Sequence, residues 1–354
     1  MNDTSSEGPG AVRTVVVLGA GGYLGSALCQ FFHALPGHRV VAVSRGKLNH
    51  SFFHRHVTAD VFADDWAAQV TTDVPIVLIN CAFDFKGIES RSSPGKFANF
   101  ERNITAVAQS LSARLINISS MSAFEGCRTD YGREKMLVEA QFNRLGGVNI
   151  RPGLIASWRR PGAAFQNLIA IATGSKIVPV LAARGSGFYF CDLEAVVLGI
   201  YLLTGMRLTK PHTLSFCYRE RIKLGSVLRL IESRHGTRSI KVPVPWQIAY
   251  AMLRVKEALI GKSKVRADSV RDFSWPNPRP DGRGFFAGIV ARFRGDLGNL
   301  SGAKATSGDF YFLEDQGFEG QGFEGQGFQE SSDRGTRKTL SPDVVRALGR
   351  LANA

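Results

Sequence analysis

Thr14-Val15-Val16-Val17-Leu18-Gly19-Ala20-Gly21-Gly22-Tyr23-Leu24-Gly25 is the stretch on which the fold turns. Its first half is a β-branched, apolar run that reads as a buried parallel strand. A glycine loop follows, and then a helix over about Ser26–Ala34. Glycines are needed where a backbone turns sharply, where it must approach a phosphate, and where a helix packs close on a strand. Gly19, Gly22 and Gly25 give GxxGxxG, while Gly19 and Gly21 begin a GxGxxG in which Leu24 stands at the last glycine position. A helix opening directly after such a loop offers free N–H groups and a positive dipole end to a pyrophosphate. A glycine pattern set between a clear strand and a clear helix therefore indicates dinucleotide binding rather than a plain tight turn.

Outward from that stretch, strands alternate with helices. Arg39–Val43, Pro75–Asn80, Arg114–Ser119 and Val148–Ile150 read as strands, with Phe100–Leu111 and Tyr131–Leu145 as helices between them. The expectation is an α/β, Rossmann-type doubly wound parallel sheet over 13–150 with a smaller C-terminal substrate lobe. The lobe spans 151–299, partly returning to the sheet, with a strand-like Gly187–Cys191 and a helix at Asp192–Leu203. Residues 1–12 read as a disordered leader. Residues 300–354 read as a low-complexity, mostly disordered tail in which QGFEG nearly repeats from Gln316, with one short helix at Asp343–Leu351.

A second constellation carries chemistry. Tyr131-Gly132-Arg133-Glu134-Lys135 sets a phenol and an ammonium on one helical face. The ammonium favours the phenolate and lowers a pKa that is about 10 in a free tyrosine. Ser120, eleven residues earlier, lies at the carboxyl end of a strand, where an α/β sheet presents its ligand crevice; Ser122 is the fallback for the same role. After the second strand come Ser44 and Arg45 with no carboxylate, which favours NADP over NAD. Asp60, followed by Val61, is placed to accept from an adenine amino group.

These residues resemble the extended short-chain dehydrogenase/reductase family, and above all its NAD-dependent epimerase/dehydratase branch, over roughly 13–275. The resemblance implies a catalytic set of Ser120, Tyr131 and Lys135. It implies a cofactor site at Gly19, Gly21, Gly22, Tyr23, Leu24, Gly25, Ser44, Arg45, Asp60 and Val61. Cys81, Ala82, Asn103, Arg151 and Pro152, together with Tyr131 and Lys135, complete that site. Leu18 departs from the family's usual threonine, and Phe188–Asp192 lacks its usual histidine. The string SSMSAFEG before YGREK resembles bacterial polysaccharide-cluster epimerases, so the expected substrate is a nucleotide-activated sugar, with Arg184 and Arg219 as candidate anchors for its pyrophosphate. The family also implies a homodimer through the helices holding Phe100 and Tyr131.

Composition narrows the rest. The 354 residues carry a net charge of +14; residues 1–300 hold +16 of it and the tail −2, an excess that suits anionic ligands. No nucleic-acid motif accompanies that charge. Five scattered cysteines without a CxxC pair fit neither a disulfide framework nor a zinc site. His50, His54 and His56 cluster without carboxylates, and no metal is expected. The polar start lacks the features of a secretory signal, and no apolar run reaches the roughly 18 residues of a membrane span. The chain thus reads as cytoplasmic, without an integral membrane segment. Two rival functions remain. One is an NADPH-dependent reductase of an apolar, sterol-like or lipid-linked substrate, in which Trp246, Tyr250, Met252 and Leu253 line a pocket or touch a membrane beside Arg254 and Lys256. The plainer account of that segment is an amphipathic helix packed on the core. The other rival is a non-catalytic cofactor sensor or scaffold.

Overall fold

The computed structural model describes residues 13–70, 76–84, 95–110, 113–182, 187–205, 211–217, 221–260, 267–277, 328–330, 338–340 and 342–353. A seven-stranded parallel sheet forms its centre. The strands are β1 (Arg13–Leu18), β2 (His38–Ser44), β3 (Arg55–Thr58), β4 (Ile76–Asn80), β5 (Arg114–Ile118), β6 (Val148–Pro152) and, later in the chain, β10 (His212–Phe216). They lie in the order β10-β6-β5-β4-β1-β2-β3. The order reverses between β1 and β4, and that switch point is where open α/β sheets bind ligands.

The sheet is buried on both faces, so its central strands read as continuous apolar runs. Val15 and Val17 face one core with α1 (Tyr23–His33) and α6 (Leu193–Gly205). Val16 and Leu18 face the other with Trp66, α3 (Lys96–Gln109) and α4 (Asp130–Arg144). A short α2 (Ala67–Val70) closes that second face. The N-terminus of α4 is capped by Thr129, whose hydroxyl accepts from the Gly132 N–H at 3.2 Å, with Asp130 in the first turn and Arg144 in the last to suit the dipole.

The second lobe has a core of its own. It brings together β7 (Leu154–Ala156), α5 (Ala163–Gly174), β8 (Ile177–Ala182), β9 (Phe190–Asp192) and α7 (Leu224–His235) around Phe165, Phe190, Val227 and Ile231. β9 pairs with β7 and leads straight into α6, while β10 returns to the large sheet beside β6. β11 (Ile240–Pro245) pairs in parallel with β8 and runs directly into α8 (Trp246–Ile260), with α9 (Ala267–Ser274) next to it.

α8 is helical from Trp246 as its periodicity indicates, but it is not packed on the core: none of its described residues is buried. At the far end, Pro342–Asn353 forms α10, longer than the short helix expected there. Its Val344, Ala347 and Leu351 are buried against α1 and α6, so this end of the chain joins the first core. Before it, β12 (Phe328–Glu330) and β13 (Lys338–Leu340) pair antiparallel. The leader 1–12 and most of the QGFEG stretch lie outside the described residues.

Candidate active site

The glycine loop closes the end of β1 against the end of β4. Gly19 has φ +76°, and a Cβ there would sit 2.9 Å from the Ala82 backbone nitrogen. The Cys81 N–H donates to Leu18 O at 2.9 Å, sealing the two strand ends together. A Cβ on Gly25 would lie 2.3 Å from Gly19 O, so only glycine lets α1 start this close to the loop. Gly22 caps α1 without a side chain of its own, so no cap side chain takes up the first-turn N–H groups. Gly21 is looser: a Cβ there would meet only the Leu48 side chain, at 3.3 Å. This cradle fits a pyrophosphate.

Most of the neighbouring side chains are engaged within the protein. Leu24 is buried in the first core, leaving only its backbone for the loop. Tyr23 donates its hydroxyl to Arg160 O at 2.7 Å, and its ring fills the space over Gly162. Burial, followed by the charge of Glu194, pushes its phenol pKa up. Arg160 in turn donates to Gln30 Oε1 at 3.1 Å and Ser26 Oγ at 2.5 Å, tying the second lobe to α1. Ser44 donates to Gly46 O at 2.6 Å and meets His56 Nε2 at 2.9 Å. Arg45 is exposed just past β2. Asp60 accepts from the Phe62 N–H at 3.0 Å and holds the turn that also buries Val61. His50 contacts Ala20 O at 3.2 Å, and the Val40 N–H donates to His54 at 3.1 Å, so each of the three histidines has a structural contact.

The helix α4 carries the Tyr131–Lys135 pair. Lys135 is buried, donates to Ile118 O at 2.9 Å, and lies 4.7 Å from the centre of the Phe83 ring. The same Phe83 ring meets Tyr131 edge-on at 4.9 Å, so one aromatic contacts both members of the pair. Burial lowers the Lys135 pKa from 10.5 to about 8, against the opposing pull of Cys81 and Glu139. Burial likewise pushes the Cys81 thiol up. Ser120 accepts from the Ser122 N–H at 3.2 Å. A Cβ on Gly132 would stand 2.3 Å from Ser122 O, so the loop after β5 folds tightly onto the first turn of α4, bringing the serine loop to Tyr131.

Other expected site residues have different surroundings. Asn103 is 1% exposed and its amide is saturated. Its oxygen accepts from Trp66 and Ala67, and its nitrogen donates to Asp64 O and Asn99 O. It anchors the start of α2 and has no hydrogen-bonding capacity left for a ligand. Arg151 forms a buried two-pronged pair with Glu139 of α4, at 2.8 and 2.7 Å. Pro152 ends β6 in register with Phe216. Arg184 and Arg219 lie outside the described residues.

The sequence reading missed the underside of α4. Asn80, Asn117 and Asn149 sit in register on β4, β5 and β6, all fully buried. Asn80 donates to Asn117 at 2.9 Å and Asn117 to Asn149 at 2.9 Å. Asn149 then donates to Glu139 O and Asn143 of α4, at 3.2 and 2.8 Å. At the other end Asn80 Oδ1 accepts from the Ala82 N–H at 3.1 Å. One polar ladder thus runs from the segment facing Gly19 to the helix that carries Tyr131. The signal available in sequence was an asparagine recurring within three largely apolar strands.

A parallel sheet in this order, a glycine cradle at its switch point and a Tyr–Lys pair on an adjoining helix define a Rossmann-type, dinucleotide-binding protein. The likeness is more specific over the first part of the chain: residues 15–145 match the NAD dependent epimerase/dehydratase family. No curated protein is significantly similar to the chain. Among solved structures it is similar to MoeE5 in complex with UDP-glucuronic acid and NAD, with 17% identity and a TM-score of 0.55 over 66% of this chain and 85% of that one. It is similar to UDP-glucuronic acid 4-epimerase from Bacillus cereus in complex with NAD, at 16% identity and TM-score 0.54, covering 66% and 87%. An epimerase from Methanothermobacter thermautotrophicus matches at 16% identity and TM-score 0.53, over 67% and 81%. At these identities the likeness is one of fold.

Proposed function

We propose that the chain is an NAD(P)-dependent epimerase, dehydratase or oxidoreductase acting on a nucleotide-activated sugar, in polysaccharide biosynthesis in the cytoplasm. The observation that carries this reading is the buried Lys135, held on Ile118 O and sharing Phe83 with Tyr131. The cofactor, when bound, supplies the hydride chemistry. The chain's own residues do the rest. Gly19, Gly22 and Gly25 with the start of α1 hold the pyrophosphate. Tyr131 gives or takes the proton on a substrate hydroxyl or carbonyl, and Ser120 hydrogen-bonds that same oxygen. Lys135 biases Tyr131 toward its phenolate. Asp60 and Arg45 attend the adenosine end. Arg184 and Arg219 remain the proposed pyrophosphate anchors for the sugar nucleotide. A homodimer through the outer faces of α3 and α4 belongs to the same reading; between them lies a groove lined by Glu101, Arg102, Gln141 and Arg144.

The choice of NADP or NAD rests on Arg45, because the Ser44 hydroxyl is already engaged by Gly46 and His56. The relatives crystallised with NAD favour NAD; the absence of a carboxylate after β2 favours NADP. The test is to identify the nucleotide that copurifies with the protein, then to titrate NADH and NADPH and to offer UDP-sugars. Tightly held NAD that survives purification supports an epimerase or dehydratase that regenerates its cofactor. Exchangeable binding that prefers NADPH and loses that preference in Arg45→Ala supports a reductase. Binding of neither cofactor would overturn the proposal.

A further inference from the structure

α8 is a helix with two different apolar sides. The inner side carries Trp246, Tyr250, Leu253 and Glu257, at helical spacing. Trp246 meets Trp275 edge-on at 4.4 Å, Tyr250 lies under the Arg271 guanidinium at 4.8 Å, and Glu257 accepts from the Ala267 N–H at 2.8 Å. The outer side, two residues on, is Ile248, Met252, Val255 and Leu259, exposed by 52, 67, 58 and 79%. Such a stripe on a fastened helix is not fraying; it is an amphipathic surface turned outward. The β8–β11 pair that feeds α8 adds Ile177 and Ile240, registered opposite each other and both exposed.

The sequence around α8 is basic. From 238 to 266 the sequence holds seven Lys/Arg and a single acid, Glu257, which is already occupied by Arg254 and the Ala267 N–H; of these cations Lys241 is paired with Glu232, and Lys262, Lys264 and Arg266 lie outside the described residues. Arg254 and Lys256 are exposed beside the stripe, and Lys176 is exposed beside Ile177. A large apolar face edged by lysine and arginine is the pattern of a helix lying in a membrane interface, its apolar side among acyl chains and its cations at anionic headgroups. Among the described residues no helix is long and apolar enough to cross a membrane, so contact is with the surface. The charge weighs against two other covers. A second copy would set one cationic patch against another. The chain's own next stretch, 278–300, is also net basic, with four arginines and two aspartates.

We propose that α8 docks the protein on an anionic lipid surface through Ile248, Met252, Val255 and Leu259. This does not depend on the proposed reaction. It does bear on the active site, because Arg271, under which Tyr250 packs, also donates to Arg128 O at 3.4 Å, while Arg128 itself stacks on Trp275 at 4.5 Å. Arg128 belongs to the loop joining Ser120 to Tyr131. The docking helix and the catalytic loop therefore share one set of contacts.

The test is flotation of the full chain with phosphatidylcholine vesicles, with and without phosphatidylglycerol, over a range of salt. The expected result is flotation with the anionic vesicles, release as salt rises, and a bound fraction at least about ten-fold lower in Met252→Glu and in Lys256→Glu. Both sites are exposed, so thermal unfolding of the variants should match the parent. No flotation with anionic vesicles would overturn the proposal, as would binding that both variants leave unchanged. A lipid-free dimer that Met252→Glu converts to monomer would assign the face to a second copy instead. Strong hydrogen-exchange protection of the outer α8 face without lipid would assign it to the chain's own cover.

Discussion

Single atoms decide much of the site. A methyl on Gly25 would lie 2.3 Å from Gly19 O, so Gly25→Ala must push α1 off its loop. Overpacking of this kind costs about 1–3 kcal/mol, and cofactor affinity, read by fluorescence titration with NADH, should fall roughly ten-fold or more. Tyr131→Phe removes one hydroxyl and leaves the ring on Phe83. Turnover should drop about 10²–10⁴-fold while cofactor binding holds; loss of binding instead would mark a structural tyrosine. Burial holds Lys135 at about 8, so its ammonium fades as pH rises through that value, and with it the proposed bias toward the Tyr131 phenolate. The pH–rate profile should turn down above about 8; a profile that climbs toward about 10, where a free tyrosine ionises, would mean that Lys135 has no such influence. The lysine holds fewer protons folded than unfolded between about 8 and its usual 10.5, so its burial costs stability at neutral pH and the cost is relieved as pH rises through that window. The spacing of Tyr131 and Lys135 was legible in sequence because a helix puts i and i+4 on one face. The saturated amide of Asn103 and the pairing of Arg151 were not, because a residue's position in the chain does not reveal which neighbours consume its hydrogen bonds.

At the scale of elements, α4 sits on the sheet through a polar underside. Arg151 and Glu139 pair where both are buried, and the asparagine ladder continues the contact to β4. Removing one partner of such a pair leaves an uncompensated charge, so Arg151→Met should cost about 3–5 kcal/mol in urea unfolding, while the double change to apolar residues at 139 and 151 should cost less. Asn117→Leu strands the Asn80 donor and the Asn149 acceptor, at about 1–3 kcal/mol each. Equal stability of Asn117→Leu and the parent would mean that water replaces the ladder. Most of the large sheet was readable because strands buried on both faces are near-continuous apolar runs, as β1, β4 and β5 are; β10 was not marked. Less of the second lobe was: of its strands, only the region of β9 was marked, within the strand-like Gly187–Cys191. β7 is three residues long, and β8 and β11 are interrupted by prolines and half exposed, so neither length nor alternation marks them. The same limit hid the exposure of α8: periodicity reports that a helix has an apolar stripe but not what covers it.

For the whole molecule, the consequential contact joins the two ends of the chain. α10 lies across α1 and α6, and the Arg350 carbonyl accepts from Gln30 at 3.4 Å. Composition singles out the repeats before α10, whereas the value of Val344, Ala347 and Leu351 depends on a groove built by residues more than a hundred positions away. Burying Val344 and Leu351 contributes about 1.5–3 kcal/mol each, so deleting 342–354 should lower stability by roughly 3–6 kcal/mol. The loss should reach the cofactor site as well, because α1 is both the surface on which α10 rests and the helix that opens at the glycine loop. Truncated and full chains would be compared by thermal unfolding with and without NADH. A lower midpoint together with weaker NADH binding is the expected pair. A lower midpoint with unchanged affinity would mean that α10 stabilises α1 without shaping its first turn. An unchanged midpoint would mean that α10 does not hold this groove in solution.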